Sequence, residues 1–598
     1  MVDLPHAASA AAVISEHARS TPERTALIFV DDVERADGAT QWSYAQLDAE
    51  ARRIGAWLRA RFPAGDRVLL LYPTGLDFAA AFVGCLYTGM VAVPAPLPGR
   101  YRHERSRVRS IAENAAVSAI LTDNDNLAAV AEWAEAEGLI GTPLLATDSA
   151  DLADPGVWTP EDLNHETLAM LQYTSGATGE PKGVMLSHGN ILHNVDSQRR
   201  SCAITQETRL GGWIPLYHDM GLLGQLLPAL LLGASCVLMR PSAFLLRPHH
   251  WLWMIDKYDI ELSAAPDFAY ELCCARITDE QVIGLDLSRW RFSADGSEPI
   301  SAATMDMFAK RFAPVGLRDD VLCPCYGMAE STVYVSGEPY RKAVVTTVDA
   351  DQLEQHRFVP AESGAELVSC GTPRDHDVLI ADARTGKVLP PGVIGEIWLR
   401  GPSISRSYWR NDAATERAFT PGGYLRTGDL GTLHDGELYV TGRLDEVMTV
   451  RGRYLYPQDI ERKLRAWHPE LGSAGAVFTV SLAEAGSEDI LVVTHEIKGR
   501  QPEARLRQLA VQIKQTVARE FGVHVDGVAL LRRGGVRRTT SGKIQRTAMR
   551  RLFLDGELNA VYVDYELRVA NALWLSRQGP AGRDEPARFS GGGLASLH

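Results

Sequence analysis

The run Tyr173-Thr174-Ser175-Gly176-Ala177-Thr178-Gly179-Glu180-Pro181-Lys182-Gly183 gathers three Ser/Thr hydroxyls and three glycines into one short stretch. Glycine permits close backbone approach and unusual φ values, so N–H groups and hydroxyls in such a loop can converge on phosphate oxygens. The Gly-x-x-x-x-Gly-Lys-Ser/Thr spacing of the nucleoside-triphosphatase loop cannot be laid over it. Apolar runs from Leu168 to Leu171 and from Val184 to Leu186 flank it, which places it between buried strands. Five further segments carry polar chemistry. They are Trp213-Ile214-Pro215-Leu216-Tyr217-His218-Asp219-Met220-Gly221, Asp295-Gly296-Ser297-Glu298-Pro299, Tyr326-Gly327-Met328-Ala329-Glu330-Ser331-Thr332, Arg426-Thr427-Gly428-Asp429 with Gly442-Arg443, and Thr539-Thr540-Ser541-Gly542-Lys543-Ile544-Gln545-Arg546.

The elements that must hold these segments follow from periodicity. The first ordered helix is expected at Ser43, with Gln46 completing a capping box and Leu47, Ala51, Ile54 and Leu58 on one face. Strand-like and helix-like segments then alternate to about residue 340, the mark of α/β layers with largely parallel sheets. From Leu367 to Val440 the pattern changes to short strands, with Asp435-Gly436 as a hairpin signal. Beyond Arg443, strands at Gly475–Leu482 and Ile490–Ile497 and a helix from Pro502 to Gly522 predict a small α/β domain.

At 598 residues the chain is too long for one core. A net charge of −14 argues against general nucleic-acid binding. The eight cysteines show neither a C-x-x-C pair nor zinc spacing, as expected of reduced thiols in the cytoplasm. No basic-then-apolar leader opens the chain, which speaks against secretion. Leu222 to Met239 approaches membrane-span length, but Gln225, Pro228 and Gly233-Ala234-Ser235 break it, so it reads as core.

The six segments, in this order, resemble the adenylate-forming superfamily over roughly residues 20–560. Within it the chain is most similar to the fatty acyl-AMP ligases. The matching runs are Tyr217-His218-Asp219-Met220-Gly221, Phe244-Leu245-Leu246-Arg247-Pro248 with Trp251-Leu252, Phe268 to Cys273, Val450 to Arg453 with Tyr456 to Glu461, and Ser541 to Arg546. Extra sequence at 341–366 resembles the insertion that separates these ligases from acyl-CoA synthetases. The resemblance implies an α/β fold with a large N-terminal domain (1–442), built of layered subdomains and a small distorted β-barrel. It also implies a hinge (443–446) and a small mobile α/β domain (447–575). Residues 576–598 have the composition of a disordered tail.

The same resemblance implies ATP and Mg²⁺ as cofactors and a fatty acid as substrate. Thr174, Ser175, Gly176, Thr178, Gly179 and Lys182 would hold phosphates. Gly296, Ser297, Tyr326, Gly327, Met328 and Ala329 would line the base pocket, with the Tyr326 ring on adenine. Asp429 would hold the ribose diol, and Arg443 would reach ribose or phosphates or brace the domain junction. Glu330, with Thr174, would bind the metal, since Mg²⁺ prefers carboxylate and phosphate oxygens. Lys543 would steady the carboxylate and the α-phosphate together, as a compact cation can. Trp213, His218, Asp219 and Met220 would border the acyl pocket, with His218 as a gate for the carboxylate. A His beside an Asp also reads as a satisfied pair. Asp219 matches the residue with which amino-acid activators hold an α-ammonium, although fatty acyl-AMP ligases carry it too. Asp445 falls at the hinge, where many similar chains have lysine.

Arg532 to Arg551 holds eight cations and no acid, and suggests a face for an acidic acyl carrier protein. No carrier attachment sequence is visible, so that carrier is expected in trans. Two rival readings are an acyl-CoA synthetase, separable by supplying coenzyme A, and a non-catalytic nucleotide- or acyl-binding relative, which the retained Lys543, Glu330 and Asp429 oppose.

Overall fold

The computed structural model describes residues 3–149, 152, 154–157, 161–174, 181–450, 453–480, 489–538, 543–567, 569, 570 and 573. The chain divides into two compact units, residues 1–445 with 540–543 and residues 446–539 with 544–598.

Two sheets organise the large unit. In one, the strands run in the order Ser336–Gly337, Leu322–Tyr326, Phe292–Asp295, Leu262–Ala265, Arg209–Gly212, Ser235–Met239, Thr25–Val30, Ala39–Ser43. Its interior pairs are parallel and both edge pairs antiparallel. The other runs Leu144–Ala146, Ala119–Thr122, Arg67–Leu71, Val91–Ala95, Leu168–Thr174, Lys182–Ser187, parallel except for its last pair. Parallel strands covered on both faces read as continuous apolar runs, which is why Val68 to Leu71 are fully buried. In open parallel sheets ligands bind beyond the carboxyl ends of the strands. Strands Leu168–Thr174, Phe292–Asp295 and Leu322–Tyr326 lead there directly into three of the polar segments.

Ser43 accepts the Gln46 N–H in a full capping box, as its spacing predicts. An earlier helix, Ala10–Ser20, corrects the expectation that order begins at Ser43. It is capped by Ser9 and buries Ala10, Ala11, Val13, Ile14, His17 and Ala18. Half of that face is alanine, with one histidine, so few large apolar residues mark it. Leu222–Met239 is core as expected: a π-helical turn Leu222–Leu226, a helix Leu227–Leu232 and a strand Ser235–Met239. Among the described residues no helix is long and apolar enough to cross a membrane.

Strands Asp377–Ala381, Gly395–Arg400, Leu425–His434 and Glu437–Arg443 form an antiparallel sheet. Asp435 and Gly436 close its last hairpin at φ 51° and 81°, the left-handed pair a two-residue hairpin turn requires. The extra segment supplies strands Val345–Val348 and Ala365–Val368, which a bridge from Ser369 to Tyr439 links to that sheet.

The small unit carries the sheet Leu471–Val480, Ile490–Ile497, Gly527–Leu531, Ala560–Tyr565. Helix Glu503–Phe521 buries Leu506, Leu509, Ile513 and Val517 on it and ends at Gly522, φ 63°. Arg546 does not belong to the basic face expected over 532–551. Its guanidinium is nearly buried, 2.9 and 2.7 Å from the Glu461 oxygens and 2.6 Å from Glu446, because a buried charge must be paired. Arg532, Arg533, Arg538, Arg550 and Arg551 remain exposed.

Burial pushes His188, His376 and His495 down to about 4. Each is neutral when folded and gains a proton when unfolded. Their stabilisation is therefore complete above the ordinary histidine value and is lost as pH falls toward 4. At about pH 5 each should cost roughly 2 kcal/mol relative to neutral pH. Thermal unfolding followed from pH 7 to 5 should show a falling Tm, and a flat profile would contradict the assignment.

Candidate active site

The phosphate-loop candidate spans a hairpin whose strands close at the Thr174–Lys182 pair. Ser175, Gly176, Thr178 and Gly179 lie outside the described residues. Thr174 and Lys182 stand at the loop's two ends. The Lys182 ammonium sits 5.2 Å over the ring of Tyr408. The Tyr408 hydroxyl donates to Glu330 Oε1 at 2.7 Å. Backbone bonds fix this arrangement: Trp409 N–H to Gly183 O at 2.8 Å, Met185 N–H to Ser407 O at 3.3 Å, and Ser405 N–H to Glu330 O at 2.8 Å. Tyr408 thus ties the hairpin to the acidic turn. Sequence reasoning missed it, because its partners lie 78 residues or more away and no local motif surrounds it.

Glu330 occupies the turn Ala329–Ser331 and is buried. Burial raises its carboxyl above the usual range, against the Tyr408 hydrogen bond. The turn is tightly folded. A Cβ on Gly327 would lie 1.7 Å from Val333 O, and Thr332 holds φ 70°, a left-handed conformation that costs a branched residue energy.

Asp429 lies opposite Arg443 across two antiparallel strands. Tyr326 Oη donates to Asp429 Oδ2 at 2.7 Å, and Arg443 Nη1 stands 3.6 Å from Oδ1. Burial raises the Asp429 carboxyl, with Arg443 and Tyr326 opposing. Arg443 also bonds Asp445 through Nε at 3.0 Å, so it braces the end of the large unit as well as Asp429. Tyr326 is fixed by its hydroxyl, leaving its ring as a rigid face.

Strand Phe292–Asp295 is paired in parallel with Leu322–Tyr326, Asp295 facing Pro324, so the turns after both strands emerge side by side. Gly296 admits no side chain, since a Cβ would come 2.8 Å from Cys325 O. Ser297 takes φ 73°. Asp295 is completely buried, with no hydrogen-bond partner at either carboxyl oxygen among the described residues. Burial, then Asp267 and Glu298, push its carboxyl well above the carboxylate range. The sequence gives no sign of that, because Asp267 is distant in the chain.

His218 Nδ1 stands 2.7 Å from Asp219 Oδ1, and the Met220 N–H donates to that same oxygen at 2.8 Å. Burial would raise the Asp219 carboxyl, but His218 outweighs it and the carboxyl falls below its usual value. Asp219 is therefore an engaged anion. Met220 packs with Ile214, Ala264 and Ala294. Trp213 stacks on Phe244 with centroids 4.0 Å apart and meets Phe268 and Trp251 edge-on, giving one side of this region an aromatic wall. Met328 and Ala329 follow Gly327 in the acidic turn. Lys543 directly precedes helix Arg546–Leu554, and the rest of its motif, 539–542, lies outside the described residues.

An edge hairpin of one sheet, a buried carboxylate turn after a parallel strand of the other, and a tyrosine-anchored aspartate on an antiparallel strand describe a nucleotide-handling enzyme. Residues 14–409 match the AMP-binding enzyme family, and residues 445–563 match the AMP domain of the Disco-interacting protein 2-like proteins. The chain belongs to the AMP-binding enzyme family. It is 39% identical to a medium-chain-fatty-acid–[acyl-carrier-protein] ligase, JamA, of Moorena producens, with 86% of this chain and 90% of the relative covered. It is 35% identical to a 4-hydroxyphenylalkanoate adenylyltransferase of Mycobacterium tuberculosis, with 92% of each chain covered. A solved structure from work on the fatty acyl-adenylate ligases of E. coli and L. pneumophila superposes with TM-score 0.84 at 31% identity, covering 93% of this chain and 99% of that one. Within the family the chain stands with the fatty acyl-AMP ligases.

Proposed function

We propose that this enzyme joins a fatty acid to the AMP moiety of ATP, releases pyrophosphate, and passes the acyl group to the phosphopantetheine thiol of a carrier protein. The observation that carries the reading is the pair of anchored carboxylates, Asp429 under Tyr326 on an antiparallel strand and Glu330 under Tyr408 on the turn that follows strand Leu322–Tyr326. Asp429 is suited to accept from a ribose diol, and the fixed Tyr326 ring offers a face for the base. Gly296 and Ser297 bring backbone close to that face. Thr174 and Lys182, at the ends of the hairpin loop, are assigned to phosphate oxygens.

The donor set suits a hard divalent cation. Glu330 is a buried carboxylate already oriented by a hydroxyl donor, and the strand ending at Thr174 packs on its turn. Magnesium held there would neutralise phosphate charge as pyrophosphate departs. His218, clasped to Asp219, borders the carboxylate's entry, and the aromatic wall at Trp213 faces the acyl chain. Lys543 is assigned to the carboxylate and α-phosphate oxygens, and Asp445 to the hinge about which the small unit turns between the two half-reactions.

ATP–pyrophosphate exchange across acids of about C4 to C18, with hydroxylamine trapping of the adenylate, tests the reading. Exchange stimulated by an aliphatic acid, together with transfer to a carrier and no thioester on free coenzyme A, is the expected result. A coenzyme A thioester detected by mass spectrometry would move the chain to the acyl-CoA synthetases. Absence of hydroxamate across the panel would favour a binding module.

The exposed arginines of 532–551 are assigned to an acidic carrier. Reversing Arg537 and Arg538 to glutamate should slow acyl transfer roughly 10-fold at low salt, with adenylate formation unchanged. Equal transfer rates for the variant and the parent would remove this face from the reaction.

A further inference from the structure

Two histidines and a glutamate to which the adenylation reading gives no role converge on the large unit. His249 and His250 open the helix His249–Lys257 and are buried, while Glu34 reaches them from the turn between strands Thr25–Val30 and Ala39–Ser43. His250 Nε2 is 3.1 Å and His249 Nε2 3.8 Å from Glu34 Oε1, and one ligand atom from each of the three residues lies within 4.8 Å of the others. A tetrahedral zinc ion with bonds of about 2.0–2.2 Å keeps its ligand atoms about 3.3–3.6 Å apart, a range that lies between those two separations. From this geometry we infer that Glu34, His249 and His250 form a three-ligand site for a borderline-soft divalent cation such as Zn²⁺, with a fourth position left for water.

The surroundings supply what such a site needs. Trp253 packs against both imidazoles, its ring centroid 5.0 Å from His249 and 6.3 Å from His250, which restrains their rotation. One neighbour opposes binding: Arg247 Nη1 lies 3.4 Å from Glu34 Oε1 and competes for the same oxygen. Metal entry would displace that guanidinium, which gives the inference a second handle. Bound metal would cross-link the Thr25–Ser43 hairpin to the helix beneath it, giving the large unit a structural clamp separate from the adenylation chemistry.

The full-length protein, stripped with chelator, is titrated with Zn²⁺ by calorimetry and with Co²⁺ by visible absorption. Expected are one high-affinity equivalent per chain and intense d–d bands of low coordination number. Glu34→Gln and the His249→Asn/His250→Asn double variant should weaken that equivalent by at least the roughly 10- to 100-fold that loss of even a partner behind a metal ligand costs, while ATP–pyrophosphate exchange stays at parental level. Arg247→Ala should tighten it. The half-exposed Glu34 can be changed without disturbing the core, so its variant remains informative if the histidine pair fails to fold. Affinity and spectra unchanged in Glu34→Gln, or no stoichiometric equivalent in the parent, would overturn the site.

Discussion

Replacing Lys543 with alanine is expected to lower adenylate formation on the order of 10²–10³-fold, the loss typical when one positioned group stabilising transition-state charge is removed. Attack of a carboxylate on the α-phosphorus brings two anions together, and a single ammonium can touch both. The effect should fall on kcat for the exchange reaction, with ATP affinity little changed, because Asp429, Tyr326 and the hairpin are assigned to the ground state. Arginine at this position should not restore the rate, since its planar fork cannot stand in for a compact point charge. Transfer from chemically supplied acyl-adenylate to the carrier should survive in the alanine variant. Hydroxamate production at the parental rate would remove Lys543 from the first half-reaction.

What could be read from the chain depended on the distance between interacting groups. The Ser43–Gln46 capping box, the Asp435-Gly436 turn and the Gly522 helix stop are local, and each appears where its spacing requires. The chemistry-bearing segments were legible because each is contiguous and ordered along the chain. Helix Ala10–Ser20 was hidden by a face half of which is alanine, with only Val13 and Ile14 as large apolar residues. Arg546 looked like part of a basic surface because the acids that bury it lie 85 and 100 residues away. The raised carboxyl of Asp295 and the junction made by Tyr408 depend on neighbours that only the fold brings together.

Tyr408 is where the second large effect should appear. Its hydroxyl is the hydrogen-bond donor holding Glu330, and its ring carries the Lys182 ammonium. Loss of a hydrogen bond to a buried charged group costs about 1.5–3 kcal/mol, so Tyr408→Phe should weaken divalent-dependent ATP binding roughly 10- to 100-fold. Phenylalanine keeps the ring over Lys182, and the loss should therefore appear in the metal requirement while phosphate contacts persist. Mn²⁺ binding in the presence of ATP, followed by electron paramagnetic resonance, reads this without turnover. Tyr408→Leu removes the ring as well and should raise the KM for ATP further, with KM for the fatty acid unmoved, since the acyl side at Trp213 and Met220 shares no contact with Tyr408 in the described structure. Glu330→Gln separates the two levels of the argument. If it abolishes the Mn²⁺ signal and Tyr408→Phe leaves the signal intact, Glu330 is the metal ligand and the tyrosine is packing alone. If neither variant alters metal binding, the cation sits elsewhere and the assignment of the acidic turn falls.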